Sequence, residues 1–233
     1  MKIEIVFDNY IFDHKKELEK GWGFSCMIGD DFLFDTGNNG RILLRNMEKL
    51  GYEVKNLKYL FISHPHWDHM GGIDSVIDAN RDLTLFLPQS VSDLFIEDLK
   101  NYSEKIVVIG EEPVFLFDKF YSTGVMEPVG EQSLIVDMGN YGAVITGCAH
   151  PGIIEIVKRA KEVLKKDIFY ALGGFHLMES SKEEISFVAK SLKKLGVRYI
   201  TPTHCSGDLA IEMFKESYGE RYMEGGVGAS VEV

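Results

Sequence analysis

His64-Pro65-His66-Trp67-Asp68-His69, continued by Met70-Gly71-Gly72, puts four metal-ligand side chains into six residues. His64 and His66 are two apart, so an extended backbone points both rings to one side. Pro65 biases its predecessor toward extended geometry and blocks a helix there. Asp68 and His69 fall where the chain turns, so they can face a second point in space. Neutral imidazole and carboxylate are the donors that zinc, iron and similar divalent ions accept.

Outward from this motif, three more histidines share its context. His150 lies in Thr146-Gly147-Cys148-Ala149-His150-Pro151-Gly152, between a strand pattern and a helix pattern. His176 ends Leu172-Gly173-Gly174-Phe175-His176, and His204 lies in Thr201-Pro202-Thr203-His204-Cys205. Each follows a strand pattern, as His64 does. A lone histidine is most simply an ordinary hydrogen-bonded imidazole. Six that follow strands into Gly- or Pro-bearing turns point to one site at one edge of the sheets. His14, in Asp13-His14-Lys15-Lys16, reads as solvated surface.

Strands are expected at 2–7, 23–28, 32–35, 59–63, 84–87, 105–109, 114–117, 120–123, 132–137, 142–146, 168–172, 198–201 and 229–233. Helices are expected at 40–50, 72–78, 91–101, 152–165, 182–195 and 208–216. In the fourth helix, Ile153, Ile156, Val157, Ala160, Val163 and Leu164 form one apolar face. Ser181 and Glu184 have capping-box spacing. The middle of the chain is strand-rich and the ends are mixed, which suggests two sheets packed face to face with helices outside. No repeat or linker interrupts the pattern, so 1–233 reads as a single domain.

Composition narrows the function classes. The chain has 233 residues, 45% of them hydrophobic, enough for a substantial core. No apolar run is long enough to span a bilayer, and the first residues lack a signal-peptide core. A cytoplasmic location is expected. Three widely spaced cysteines do not make a disulfide framework. Cys148 and Cys205, beside ligand-type histidines, read as small buried residues, with thiolate ligation as the alternative. The net charge of −11 would repel a nucleic-acid backbone, so a nucleic-acid partner is not expected. Trp22, Phe24, Trp67 and Phe175 read as core or rim packing, with stacking on a substrate as the alternative.

The H-x-H-x-D-H motif, Phe34-Asp35-Thr36-Gly37 and the later histidines, in that order, resemble the metallo-β-lactamase superfamily across essentially the whole chain. The resemblance implies an α/β (α+β) fold, a four-layer αββα sandwich. It implies that His64, His66 and His150 hold one metal, and Asp68, His69 and His204 the other. Asp35 would be a buried carboxylate that orients a ligand histidine. Its alternative is a turn Asp bonded to its own backbone. The stretches Thr-Gly-Cys-Ala-His-Pro-Gly-Ile, Gly-Gly-Phe-His-Leu and Pro-Thr-His-Cys are similar to a dihydropteroate-synthase-like subgroup. That subgroup carries the name 7,8-dihydropterin-6-methyl-4-(β-D-ribofuranosyl)aminobenzene-5′-phosphate synthase.

One position departs from the superfamily pattern. Most dinuclear members place a bridging Asp where this chain has His176, and a neutral imidazole cannot bridge two ions. His176 is therefore a metal ligand, a substrate contact or a general acid. With Asp68 as the one anionic ligand, two divalent ions keep about three net positive charges, which favours a small anionic substrate.

The expected cofactor is one or two divalent ions, zinc first, with Mn, Fe, Co or Ni also accepted by these donors. The expected reaction is hydrolysis of a phosphate ester or related substrate by metal-activated water, with Asp68 and His176 as the catalytic residues. One alternative is a transferase that condenses a pterin diphosphate with a ribofuranosylaminobenzene phosphate. Another is a catalytically silent metal- or ligand-binding protein. Diiron redox chemistry is disfavoured, because His66 stands where such members carry Glu. Oligomeric state is not written in the sequence.

Overall fold

Short β-branched and aromatic runs alternate with amphipathic segments, and this alternation sets the element order. The computed structural model describes residues 1–14, 17–103 and 105–233. The chain divides into two compact units, residues 1–110 with 225–233 and residues 111–224.

In chain order the first unit contains β1 (Lys2–Phe7), β2 (Ser25–Ile28), β3 (Phe32–Phe34), α1 (Gly40–Lys49), β4 (Tyr59–Phe61), α2 (Trp67–Met70), α3 (Ile73–Ala79), β5 (Thr84–Pro88), α4 (Asp93–Leu99) and β6 (Lys105–Ile109). The second contains β7 (Val114–Phe117), β8 (Phe120–Ser122), β9 (Leu134–Asp137), β10 (Gly142–Thr146), α5 (Ile153–Leu164), β11 (Ile168–Gly174), α6 (Lys182–Lys194), β12 (Tyr199–Thr203) and α7 (Asp208–Tyr218). β13 (Ser230–Glu232) returns to the first unit and pairs with β1.

The first unit is built on a seven-stranded sheet ordered β13-β1-β2-β3-β4-β5-β6. Its β3, β4, β5 and β6 run parallel, so the carboxyl ends of β3 and β4 lie side by side. Leu43 and Met47 of α1 and Ile73, Val76 and Ile77 of α3 join Leu33, Leu60 and Leu85 in its core. Each such side chain, fully buried, contributes about 1.5–3 kcal/mol. The Asn39 side chain caps α1 by accepting from the backbone of Arg41 and Ile42.

The second unit is built on a six-stranded sheet ordered β12-β11-β10-β9-β8-β7. Here β10, β11 and β12 are parallel neighbours. Ile153, Ile156, Val157, Ala160 and Leu164 of α5 bury the face the periodicity marks, and Val163 is half-buried. Ser181 and Glu184 form the expected capping box on α6.

The differences from the expected elements are local. β11 and β12 run two residues past their expected ends, because parallel pairing with a neighbour continues to Gly174 and Thr203. The turn expected at Asp68 and His69 is a single helical turn, α2, which starts directly after His66. All three cysteines are buried and unpaired as disulfides, Phe24 and Phe175 are core residues, and Trp22 and Trp67 are exposed. His14 is exposed. Among the described residues, no helix is long and apolar enough to cross a membrane.

Candidate metal centre

Adjacent parallel strands release the motif residues at one sheet edge of the first unit. The chain leaves β3 into Asp35 and β4 into Ser63-His64, and the carboxylate of Asp35 reaches across. Asp35 Oδ1 accepts from the Ser63 backbone N–H (2.7 Å), and Oδ2 accepts from Ser63 Oγ (2.7 Å). Oδ2 also lies 2.7 Å from His69 Nδ1, with both side chains fully buried.

These contacts fix protonation. A carboxylate only accepts, so His69 carries its proton on Nδ1. Nε2 is then the ring nitrogen able to ligate, and it lies 3.6 Å from Asp68 Oδ2. Ser63 Oγ spends its proton on Asp35, so it accepts from His64 Nδ1 at 2.9 Å. His64 Nε2 therefore bears a lone pair, and His66 Nδ1 is 3.0 Å from it. Two imidazole donors on one tetrahedral zinc stand roughly 3.3 Å apart, given Zn–N near 2.05 Å. The donor set of this unit fits a divalent ion. The carbonyl of His69 is gripped by Thr36, whose backbone N–H (2.7 Å) and hydroxyl (3.0 Å) both donate to it.

In the second unit, three parallel strands deliver the remaining histidines to one edge. His150 follows β10, His176 follows β11 and His204 follows β12. Glu131, fully buried, organises the first of these turns. Its Oε1 accepts from the backbone of Cys148 and Ala149, each at 2.9 Å. Its Oε2 accepts from the His150 backbone (2.9 Å) and lies 2.8 Å from His150 Nδ1. Nε2 of His150 is again the nitrogen available for coordination. Carboxylate–imidazole pairs of this kind orient metal-ligating histidines.

His204 is buried, with Nε2 3.4 Å from Cys148 Sγ. His176 is exposed, its ring centroid 4.5 Å from that of His150. Cys148, His176 and Cys205 bring one ligand atom each within 4.8 Å of one another. A hydrogen bond with Cys205 raises the His176 pKa. Burial pushes the Cys205 thiol up, but hydrogen bonds from Cys148 and His176 outweigh it and hold the thiol well below its usual range.

Backbone strain marks the same residues. Asp35, Ala149, His176 and His204 all have left-handed φ, between 51° and 60°. Such a conformation costs a non-glycine residue about 1–2 kcal/mol and concentrates at functional positions.

The sequence reading missed Glu131 and Ser63. Ser63 adjoins the motif but has no distinctive spacing. Glu131 stands at no recognisable interval from His150. Its only signal is the run of backbone donors at Cys148-Ala149-His150, which needs a buried acceptor.

Residues 29–204 match the family model for the metallo-beta-lactamase superfamily, and the chain belongs to that superfamily. The chain is 27% identical over 235 residues to 7,8-dihydropterin-6-methyl-4-(beta-D-ribofuranosyl)-aminobenzene-5'-phosphate synthase of Methanocaldococcus jannaschii, covering 82% of this chain and 80% of that protein. Among solved structures it resembles Tm1679, described as a metal-dependent hydrolase of the beta-lactamase superfamily, with TM-score 0.81 and 27% identity over 100% and 99% of the two chains. Human tRNase Z, short form, shares the fold at TM-score 0.63 and 12% identity, over 100% of this chain and 99% of that one.

Proposed function

We propose that the chain is a metal-dependent hydrolase of a small anionic substrate, a phosphate ester or a related compound. The observation that carries this reading is the pair of buried carboxylates, Asp35 and Glu131, each bonded to Nδ1 of a histidine in a metal-ligand pattern. Purely structural histidines would not require two such devices at strained strand ends.

In this reading His64, His66, Asp68, His69, His150 and His204 are the ligands of one or two divalent ions, zinc first. Bound divalent ions lower the pKa of water from 15.7 to about 7 and polarise a substrate oxygen. Asp68 accepts a proton from the attacking water when one of its oxygens is not engaged. His176, exposed and held more basic by Cys205, donates a proton to the leaving-group oxygen. The exposed ring of Trp67, next to His66, offers a face for an aromatic part of the substrate.

The test is turnover of simple phosphodiesters with added zinc or manganese, paired with elemental analysis. His66→Ala and His150→Ala should each lose metal and activity. Retention of full metal content and full activity in both variants overturns the ligand assignment.

The similarity to the M. jannaschii synthase supports a second reading, a transferase that joins a pterin diphosphate to a ribofuranosylaminobenzene phosphate. The same cationic centre would then hold the diphosphate leaving group. Product analysis separates the two: release of pyrophosphate with a coupled pterin product favours the transferase, and phosphodiester cleavage alone favours the hydrolase.

A further inference from the structure

At the opposite end of β12 from His204, the second unit holds a cavity of about 570 Å³. Its walls include Lys193 near the end of α6, Arg198 just before β12, Ser217 and Tyr218 at the end of α7, and Arg221 beyond it. The five residues of β12 separate it from His204 by about 17 Å.

The cavity lining carries three cations and no carboxylate, in a chain of net charge −11. Asp167, which packs against Gly196 of the wall, is already paired with Lys161 at 2.8 Å. Lys193 sits over the Tyr218 ring at 4.8 Å and donates to the Ser217 carbonyl. Arg198 is held over the Phe169 ring at 5.4 Å. Among the described residues, neither Arg198 nor Arg221 is paired with a carboxylate.

One reason for cations here is that α6 and α7 both end at this cavity. Two helix C-termini contribute roughly half a negative charge each, so three full positive charges exceed them by about two. The surplus calls for an anion. The ring of Tyr218, with Lys193 over its face, closes one side of the wall. The volume falls within the range of small-molecule sites and exceeds what a bare phosphate needs.

We propose that this cavity binds a small phosphate-bearing anion, with Arg198 and Arg221 holding phosphate oxygens through paired N–H donors. It is separate from the histidine-bearing strand ends and does not depend on the reaction performed there.

The experiment is isothermal titration of the full chain with inorganic pyrophosphate. The wild type should bind saturably. The double variant Arg198→Gln/Arg221→Gln should bind at least tenfold more weakly, with the melting temperature unchanged because both side chains are exposed. His150→Ala, which alters the candidate metal centre, should remove only pyrophosphate held there through metal and keep the binding event that the arginine variants lose. Arg221→Gln alone replaces the double variant if that protein melts early. No saturable binding by the wild type, an isotherm unchanged in the arginine variants, or loss of that same event in His150→Ala overturns the proposal.

Discussion

Asp35 Oδ2 and His69 Nδ1 stand 2.7 Å apart, and the same oxygen accepts from Ser63 Oγ, whose hydroxyl meets His64 Nδ1. One buried carboxylate therefore sets the tautomer of two histidines, one directly and one through a hydroxyl. Parallel pairing of β3 with β4 makes this reach possible. The second unit solves the same problem differently, since Glu131 approaches His150 from a segment ahead of β9.

Asp35→Asn should lower metal affinity by about 10–100-fold, the range for losing such an orienting partner. The amide has one acceptor oxygen, whereas Asp35 receives three donors, so His69 or Ser63 loses its bond. Chelator competition on the purified variant measures this. Affinity within twofold of wild type would mean that the histidines hold their tautomers without Asp35.

Much of this was legible in the chain. The H-x-H-x-D-H run, the strand-ending histidines and the α5 face all follow from spacing and periodicity. Asp35 was legible as an orienting residue only through the family resemblance, because a turn Asp after a strand is equally consistent with a local backbone bond. Glu131 was not legible: its role depends on a backbone turn 17 to 19 residues away that wraps its carboxylate. The strand ends at Gly174 and Thr203 were underestimated because ladder pairing with a neighbour, not local propensity, extends them. The α2 turn was missed because four residues carry too little periodicity to register a helix.

Glu131→Gln should cost stability as well as activity. Three backbone N–H groups and one imidazole converge on the Glu131 carboxylate. An amide presents an NH2 group to at least one of them, and a buried unsatisfied donor costs about 1–3 kcal/mol. For a chain of this length that corresponds to a fall in Tm of roughly 2–12 °C. Calorimetry checks it. An unchanged Tm with normal metal content would show that the 147–152 turn holds itself.

Gly173→Ala probes the end of β11 that leads to His176. Gly173 has φ of +123°, and an added Cβ would come within 2.1 Å of the Thr146 carbonyl oxygen. Both the clash with backbone and the conformation are unfavourable, for a combined cost of about 3 kcal/mol or more. The variant should unfold at markedly lower urea than the wild type and lose activity even where it stays folded. A urea midpoint equal to wild type would contradict the close β10–β11 approach.

Lys166 offers a pH test away from the site. Its Nζ lies 2.7 Å from both oxygens of Asp137, and this bond holds the Asp137 carboxyl below its ordinary 3.8. The unfolded chain therefore takes up this proton before the folded one does. The stability from the pair is present above about pH 4 and disappears as pH falls through the lowered folded value. Lys166→Ala should cost about 0.2–1 kcal/mol at pH 7, the range for partly exposed pairs. The difference between wild type and variant should be smaller at pH 3 than at pH 7, because below 3.8 the unfolded chain gains the Asp137 proton first. Urea unfolding of the two proteins at both pH values measures it. An equal difference at the two pH values would assign the loss to the packing of the lysine stem, not to its charge.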